Sequence, residues 1–508
     1  MHRIFKFLTS RLIFIVPLVL LQFYLFALLL YQSVIYYRIL PFIQIVEFLT
    51  VVYIINRPEE PSYKIGWCIA ILGVPAVGLP LYILAGNKKM PKKLIEGTTQ
   101  ISKRTEGLLR QPEGLLFEKM EESRDILRSF KYGMETCGFP AFRHSRCVYY
   151  SSGEEWLEAY KDALRSAKHF IFMEFFIIVE GSVWDEIHEI LKEKVKEGVE
   201  VKLIYDDFGS VSLPLKYDVQ LREEGIDAWR FNKLRPAFII QMNNRDHRKI
   251  TVIDNTIAFT GGVNLADEYA NRIQRFGYWK DSAVRLDGEA VWSFTVMFLG
   301  LYTYLNKDAS DLDFLQYKLD YEDVNDGGIY QPFSDTPTDD ENVCLNLHMN
   351  MINHAEKYLY IDTPYLILPE ALRRCLRLSA KNGVDVRIMV PGIADKVLVN
   401  QITRHNYSSL LSSGVRIYEY TPGFVHAKNF VSDDKYAIVG SVNTDYRSYY
   451  LHFEDGVFMY DSPAVKDIRD DFLESLKDCH EITEEEVKKT NVLLRILRAV
   501  LNMFIQLL

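Results

Sequence analysis

The chain has 508 residues, a formal net charge of −9 and a mean hydropathy of −0.05. An acidic balance argues against a non-specific nucleic-acid binder, which needs a basic face. The six cysteines (Cys68, Cys137, Cys147, Cys344, Cys375 and Cys479) form no CxxC pair and no metal-ligand spacing, so they read as free thiols of a reducing compartment.

Apolar residues crowd the front of the chain. Three stretches, Leu12 to Leu30, Ile39 to Ile55 and Ile65 to Ala85, each approach the ~20 residues that cross a bilayer as a helix. Residues 1–90 are therefore read as a membrane anchor with two or three transmembrane helices. A secretory signal fits poorly, because the apolar region is too long and lacks a small-residue cleavage site. Basic residues precede the first stretch (Arg3, Lys6, Arg11) and follow the third (Lys88, Lys89, Lys92, Lys93). Three full crossings would put these clusters on opposite faces, against the positive-inside tendency. A cytoplasmic catalytic region is expected, with the four lysines against anionic head groups. Residues 91–130 read as a juxtamembrane linker.

Beyond it the sequence repeats. Ala167-Lys-His-Phe-Ile-Phe-Met-Glu174 matches Ala355-Glu-Lys-Tyr-Leu-Tyr-Ile-Asp362, and Glu197-Gly-Val-Glu-Val-Lys-Leu-Ile204 matches Asn382-Gly-Val-Asp-Val-Arg-Ile-Met389. Each pair reads as a helix end followed by a buried or alternating strand. Gly225-Ile-Asp-Ala-Trp and Gly414-Val-Arg-Ile-Tyr supply a third strand pair. Helices alternating with strands predict an α/β fold with two equivalent units, residues 131–305 and 343–480. The acidic stretch between them, residues 306–342, reads as a solvated linker or insertion.

Each unit contains His-x-Lys-x4-Asp: His247, Lys249 and Asp254, then His426, Lys428 and Asp433. Small-residue tails follow, Gly261-Gly262-Val263-Asn264 and Gly440-Ser441-Val442-Asn443. A single copy can arise by chance in a chain this long and alone is weak evidence; two copies with one spacing at equivalent places in a repeat are not accidental. His and Lys at i and i+2 of an extended segment share a face. Two such faces brought together suit an anionic phosphodiester. Lys249 and Lys428 supply charge to phosphoryl oxygens, and Asn264, Asn443 and Ser441 supply polar contacts to substrate. One histidine attacks phosphorus while the other protonates the departing oxygen. Asp281 and Glu454 are carboxylates placed to orient the imidazoles. Asp254 and Asp433 complete the motifs and read as turn holders. Glu174 and Asp362 occupy equivalent strand ends, as pocket liners or structural groups. Tyr365 and Tyr407 are candidate lipid contacts. The remaining histidines, His452 among them, read as surface or packing residues, and no metal site is expected.

The paired motifs resemble those of the phospholipase D superfamily, and the chain is similar more specifically to bacterial cardiolipin synthases. The likeness runs through Met173-Glu174-Phe175-Phe176, Tyr205-Asp206-Asp207-Phe208-Gly209-Ser210, His247-Arg248-Lys249, Gly261 to Tyr269, Tyr278-Trp279-Lys280-Asp281, Tyr418 to Lys428 and Asn443 to Ser448. Arg57-Pro58 and Trp67 to Gly86 are similar to that family's anchor, although the stretch before residue 57 is extra. The resemblance implies two mixed β-sheets flanked by helices and related by a pseudo-twofold. It implies transfer of a phosphatidyl group between phosphatidylglycerol molecules through a phosphatidyl-histidine intermediate, without cofactor or metal. The implied partners are phosphatidylglycerol, other phospholipids and the plasma membrane, with no nucleic acid. The same motifs serve hydrolytic phospholipases and nucleases, and an inactive lipid-binding scaffold is a further alternative. Residues 481–508 predict an amphipathic helix, with Arg495, Arg498 and Asn502 on one stripe and Leu494, Leu497 and Leu501 largely opposite.

Overall fold

Short apolar runs bounded by glycine turns and amphipathic helices pair into two sheets of the same design. A computed structural model describes residues 34–57, 61–73, 75–86, 91–110, 128, 130–234 and 244–503. The first half contributes β1 (Ser145–Tyr150), β2 (Phe170–Phe175), β3 (Glu200–Asp206), β4 (Asp227–Phe231), β5 (Ile250–Ile253), β6 (Ile257–Gly261), β7 (Tyr278–Lys280) and β8 (Ala283–Gly288). The second contributes β9 (Ile329–Asp335), β10 (Tyr358–Asp362), β11 (Asp385–Pro391), β12 (Arg416–Tyr420), β13 (Gly423–Val425), β14 (Asn429–Ser432), β15 (Tyr436–Gly440), β16 (Glu454–Tyr460) and β17 (Cys479–Ile482).

The sheet orders are β4-β3-β2-β5-β6-β8-β1 and β12-β11-β10-β14-β15-β16-β9, with β17 added beyond β12. They match strand for strand. In each, two parallel pairs on one side meet a run of antiparallel pairs on the other. The junction strands β2 and β10 are covered on both faces, which is why Phe170–Phe175 is apolar almost throughout and wholly buried.

The halves share one core. Phe172, Ile250, Val252 and Val284 of the first sheet pack in the same cluster as Val425, Val431, Val439 and Val457 of the second. The helix Val291–Leu305 has no polar stripe because every residue from Val291 to Thr303 is buried. It packs on β2, β4, β5 and β9, with Phe298 stacked on Phe172 at 4.8 Å.

Several expected boundaries move. Residues 91–130 are not simply a linker: the helix Lys92–Thr105 lies on Val291–Leu305, and Gly97 and Gly300 permit the close approach. The segment around Phe130 belongs with the second half. Phe130 packs on Phe458 at 4.7 Å, and Gln331 Nε2 donates to the carbonyls of Phe130 and Phe139. Within the acidic stretch 306–342, β9 is an edge strand of the second sheet. Acidic residues flank it, whereas Ile329, Tyr330 and Phe333 point into the core.

Among the described residues no helix is long and apolar enough to cross a membrane. The first predicted span, Lys88 and Lys89 lie outside the described residues. The second falls in the helix Val34–Ile55, which contains Arg38, Gln44, Glu47 and an internal proline, Pro41. The third is broken into Pro61–Gly73, Pro75–Leu81 and a π-helical turn, Tyr82–Gly86, where glycine and proline interrupt the helical ladder. These helices expose Phe42, Ile45, Phe48, Leu49, Ile65 and Leu72. The C-terminal helix Val492–Met503 packs one residue of its polar stripe inward and leaves Arg495 exposed. Arg498 is buried and donates to Gln401 at 3.0 Å, while Leu493, Ile496 and Leu497 face outward.

Candidate active site

The two histidine motifs lie where β5 and β14 begin, and each is hung on the other half of the molecule. His247 N–H donates to the carbonyl of Phe453 at 2.9 Å, and Phe453 N–H returns a bond to Arg245 O at 2.8 Å. In the mirror arrangement β13 pairs in parallel with β7, and His426 N–H donates to Lys280 O at 2.7 Å. Phe453 and Lys280 immediately precede Glu454 and Asp281. The backbone pairing therefore delivers each carboxylate to the opposite histidine. Glu454 Oε2 is 2.9 Å from His247 Nδ1, and Asp281 Oδ2 is 2.7 Å from His426 Nδ1. The carboxylates are exchanged between halves, so neither half holds a complete pair.

The supports are local. Asp281 also accepts from Ser282 N–H at 2.9 Å and from the Trp279 indole at 3.3 Å. Ser441 donates to Glu454 and accepts from Asp455 N–H at 2.9 Å. Its hydroxyl proton is thus committed to the His247 carboxylate, a different place from the substrate contact expected of it. Gly262 faces Asp281: a Cβ there would lie 2.0 Å from Oδ1, which makes glycine a steric requirement. Lys249 and Lys428 each donate to the carbonyl of the histidine two residues before, and Lys428 Nζ lies 3.1 Å from His426 Nδ1.

Both histidines, both lysines and both carboxylates are buried. Burial pushes His247 down to about 3 and His426 down to about 4, the latter with help from Lys428. Burial alone would raise Glu454 and Asp281, but the facing imidazoles hold both below the usual carboxylate range. The imidazoles are thus neutral at pH 7, donating Nδ1–H to a carboxylate and keeping the lone pair on Nε2. Burial also lowers Lys249 to about 8 and Lys428 to about 7, against the attraction of Glu454 and Asp281.

Asn264 and Asn443 contribute buried orphan atoms. Asn264 Oδ1 accepts from Ile177 N–H at 3.0 Å, while its Nδ2 finds no partner among the described residues, and neither does Asn443 Oδ1. Buried amide atoms left unpaired in this way are what a polar ligand would satisfy.

The motif aspartates stand elsewhere. Asp254-Asn255 and Asp433-Asp434 have φ between +52° and +58°, the left-handed central pair of a tight turn that Thr256 N–H and Lys435 N–H close on the carbonyls of Ile253 and Ser432 at 3.0 Å. Asp254 accepts from three successive N–H groups, Lys168, His169 and Phe170, at 2.7–2.8 Å. Asp433 does the same for Glu356, Lys357 and Tyr358. Four strand residues separate Lys249 from Asp254, about 16 Å of extended chain over the five intervals. Both carboxylates fix the turn at the far end of the motif strand. Glu174 is ion-paired with Arg248 at 2.7 Å and Asp362 accepts from Asn429 at 3.0 Å, so both brace the motif strands from behind. Tyr365 donates to Asp395, whereas Tyr407 is buried and donates to Glu419, which removes it from any lipid contact.

Two residues near the site carry roles that sequence reading passed over. Asp206 accepts from Asp246 N–H at 3.1 Å and steadies the segment that presents His247. His452, two residues before Glu454, lies with its ring 5.4 Å from that of His247. The His-x-Glu spacing was visible, but its meeting with a histidine from the other half was not.

The family described as "Cardiolipin synthase, PLD-like domain" matches residues 160–274 and 349–476, and "Phospholipase_D-nuclease N-terminal" matches residues 47–87. A cardiolipin synthase of Geobacillus sp. is 31% identical over 89% of this chain and 90% of its own length. Cardiolipin synthase 2 of Staphylococcus epidermidis is 33% identical over 84% and 89%. The chain belongs to the cardiolipin synthase family. It is a phospholipid phosphatidyltransferase by that membership. An uncharacterized protein of Streptococcus mutans is 39% identical over 90% of this chain and 99% of its own length. Among solved structures, phosphatidylserine synthase of Haemophilus influenzae superposes with a TM-score of 0.56 at 15% identity, covering 74% of this chain and 97% of that one. That likeness concerns the fold. The first family match ends at residue 274, before Asp281, and that this carboxylate meets the histidine of the other half is seen only in three dimensions.

Proposed function

We propose that the protein joins two phosphatidylglycerol molecules into cardiolipin and free glycerol. One histidine Nε2 attacks the phosphorus of the first lipid, and the other, which takes up a proton from solvent as the anionic lipid binds, donates it to the leaving glycerol oxygen. The P–O bond to glycerol breaks as the P–N bond of a phosphatidyl-histidine forms. The second histidine then takes the proton from a primary hydroxyl of another phosphatidylglycerol, whose oxygen displaces the histidine. One phosphodiester replaces another, so the reaction needs no nucleotide. Lys249, Lys428, Asn264 and Asn443 stabilise charge on the five-coordinate phosphorus, where losing one donor costs on the order of 3 kcal/mol of barrier.

The observation that carries this reading is the pair of crossed histidine–carboxylate contacts, 2.9 and 2.7 Å, with two buried lysines in one centre. The relatives named cardiolipin synthase support the choice of donor and acceptor. Membrane seating is part of the proposal. The apolar residues exposed on Val34–Ile55, Pro61–Gly73 and Val492–Met503 suit a lipid surface, with residues 1–90 as anchor, residues 481–508 in the interface and the catalytic halves on the cytoplasmic side of the plasma membrane. The test is purified protein in micelles given labelled phosphatidylglycerol alone, with products identified by mass spectrometry. Cardiolipin and glycerol are expected, and both His247→Ala and His426→Ala should be inactive. Phosphatidic acid as the sole product would replace the reading with hydrolysis, and turnover by His426→Ala would defeat the two-histidine chemistry.

A further inference from the structure

The crossed arrangement brings His452 to the His247 carboxylate, and this adds to two groups of the transfer chemistry a third donor that the chemistry does not use. His452 is nine-tenths buried and Glu454 is fully buried. Ser441 and His247 occupy Glu454 Oε2, whereas Oε1 has no hydrogen-bond partner. His452 Nδ1 also has none among the described residues and lies 3.6 Å from that same Oε1. One ligand atom from each of His247, His452 and Glu454 falls within 4.8 Å of the others.

We propose that His247, His452 and Glu454 form a binding site for a zinc-like divalent transition ion that inhibits the enzyme. Two imidazoles and one carboxylate are the donor set of many three-ligand zinc sites, which leave a fourth position open. Bonds of about 2.0–2.2 Å set neighbouring donors roughly 3.4 Å apart in a tetrahedron, so side-chain rotations of about 1 Å would close the group on an ion. Nitrogen-rich donors favour zinc over magnesium or calcium, which prefer oxygen. The ammonium groups of Lys249 and Lys428 oppose a second cation, and the carboxylates of Glu454, Asp455 and Asp281 offset them. An ion held here ties up His247, so phosphatidyl transfer stops while it is bound. The ligands come from both halves, so the ion also ties the halves together.

Binding is read apart from catalysis. Chelator-stripped full-length protein in micelles is titrated with Zn2+ against a competing indicator, and Co2+ serves as an optical probe. One high-affinity ion per chain is expected, with a Co2+ spectrum of low coordination number and X-ray absorption showing two imidazoles. Changing an outer-shell partner of a metal costs roughly 10–100-fold in affinity, so removing a ligand in His452→Gln should cost at least that much. His480→Ala, which alters an exposed histidine paired with Glu486, should leave the titration unchanged. No stoichiometric binding, or binding equally tight in a folded His452→Gln protein, would overturn the proposal. If that variant fails to fold, a Co2+ or X-ray signature lacking two imidazoles in the unaltered protein overturns it instead. Inhibition of lipid transfer in step with occupancy rests on the function proposed above. Binding without inhibition would count against the role given to His247, while the ion site would stand.

Discussion

A buried imidazole serves as a nucleophile only while neutral, and a buried lysine holds a phosphate only while charged. Burial lowers the histidines to about 3 and about 4 and the lysines to about 8 and about 7, so the free enzyme has both properties between about pH 4 and pH 7. Because one imidazole must gain a proton as the lipid binds, kcat/KM, which refers to the free enzyme, should decline with rising pH across that window. It should also fall below it as the imidazoles protonate, and more steeply above it as the amines lose their charge. Lys428→Arg keeps its charge at any accessible pH and should move the alkaline limb upward, even with a lower maximum. An alkaline limb that stays in place would remove Lys428 from the account. The orienting carboxylates carry a second prediction. Glu454→Gln keeps the shape but offers an amide in place of the carboxylate that receives Nδ1–H, and turnover should drop by roughly 10³–10⁴-fold with little change in thermal stability, as when a catalytic triad loses its carboxylate.

At the scale of the element, the HxKx4D strand has a chemical end and a structural end. Asp254 ties three N–H groups at the start of β2 to the hairpin that follows β5. Hydrogen bonds to a charged group are worth about 1.5–3 kcal/mol each, and orphaning the three N–H groups adds to the loss. Asp254→Ala should therefore lower unfolding free energy by several kcal/mol in chemical denaturation, while the fraction that remains folded keeps its kcat. A stable but inactive variant would return Asp254 to the chemistry. The strand–helix repeat, the hairpin after each motif and the glycine stops could all be read from local pattern, because each depends on residues a few positions apart. β9 could not. Its apolar core, Ile329, Tyr330 and Phe333, is short and set among aspartates, and it becomes a strand only because β16 offers an open edge. The crossed partners of His247 and His426 were equally hidden: Asp281 and Glu454 could be named as carboxylates downstream of each motif, but which imidazole each would meet depends on how the halves dock. His452 was passed over for the same reason.

For the molecule as a whole, the docking of two equivalent halves is what completes the chemistry. Because Asp281 and Glu454 serve one centre, their losses should not multiply. The double variant Asp281→Asn with Glu454→Gln should turn over about as slowly as the worse single variant, as residues acting as a unit do. Fully multiplicative losses would indicate two independent sites. The seam is also sterically tight. Gly262→Ala drives a methyl into Asp281 and should cost about 1–3 kcal/mol of stability together with most of the activity. A variant as stable and active as the parent would mean that Asp281 does not hold this position during turnover.

The most direct measurement is to trap the covalent intermediate. Protein mixed briefly with labelled phosphatidylglycerol, quenched under alkaline conditions that spare phosphorus–nitrogen bonds and digested, should carry one phosphatidyl group on His247 or on His426. The adduct should be absent when the bearing histidine is replaced by alanine, and should form far more slowly when the partner histidine, the acid for the departing glycerol, is replaced by glutamine. A phosphatidyl group on any other residue, or rapid cardiolipin formation with no protein-bound phosphatidyl group at any time, would contradict the account.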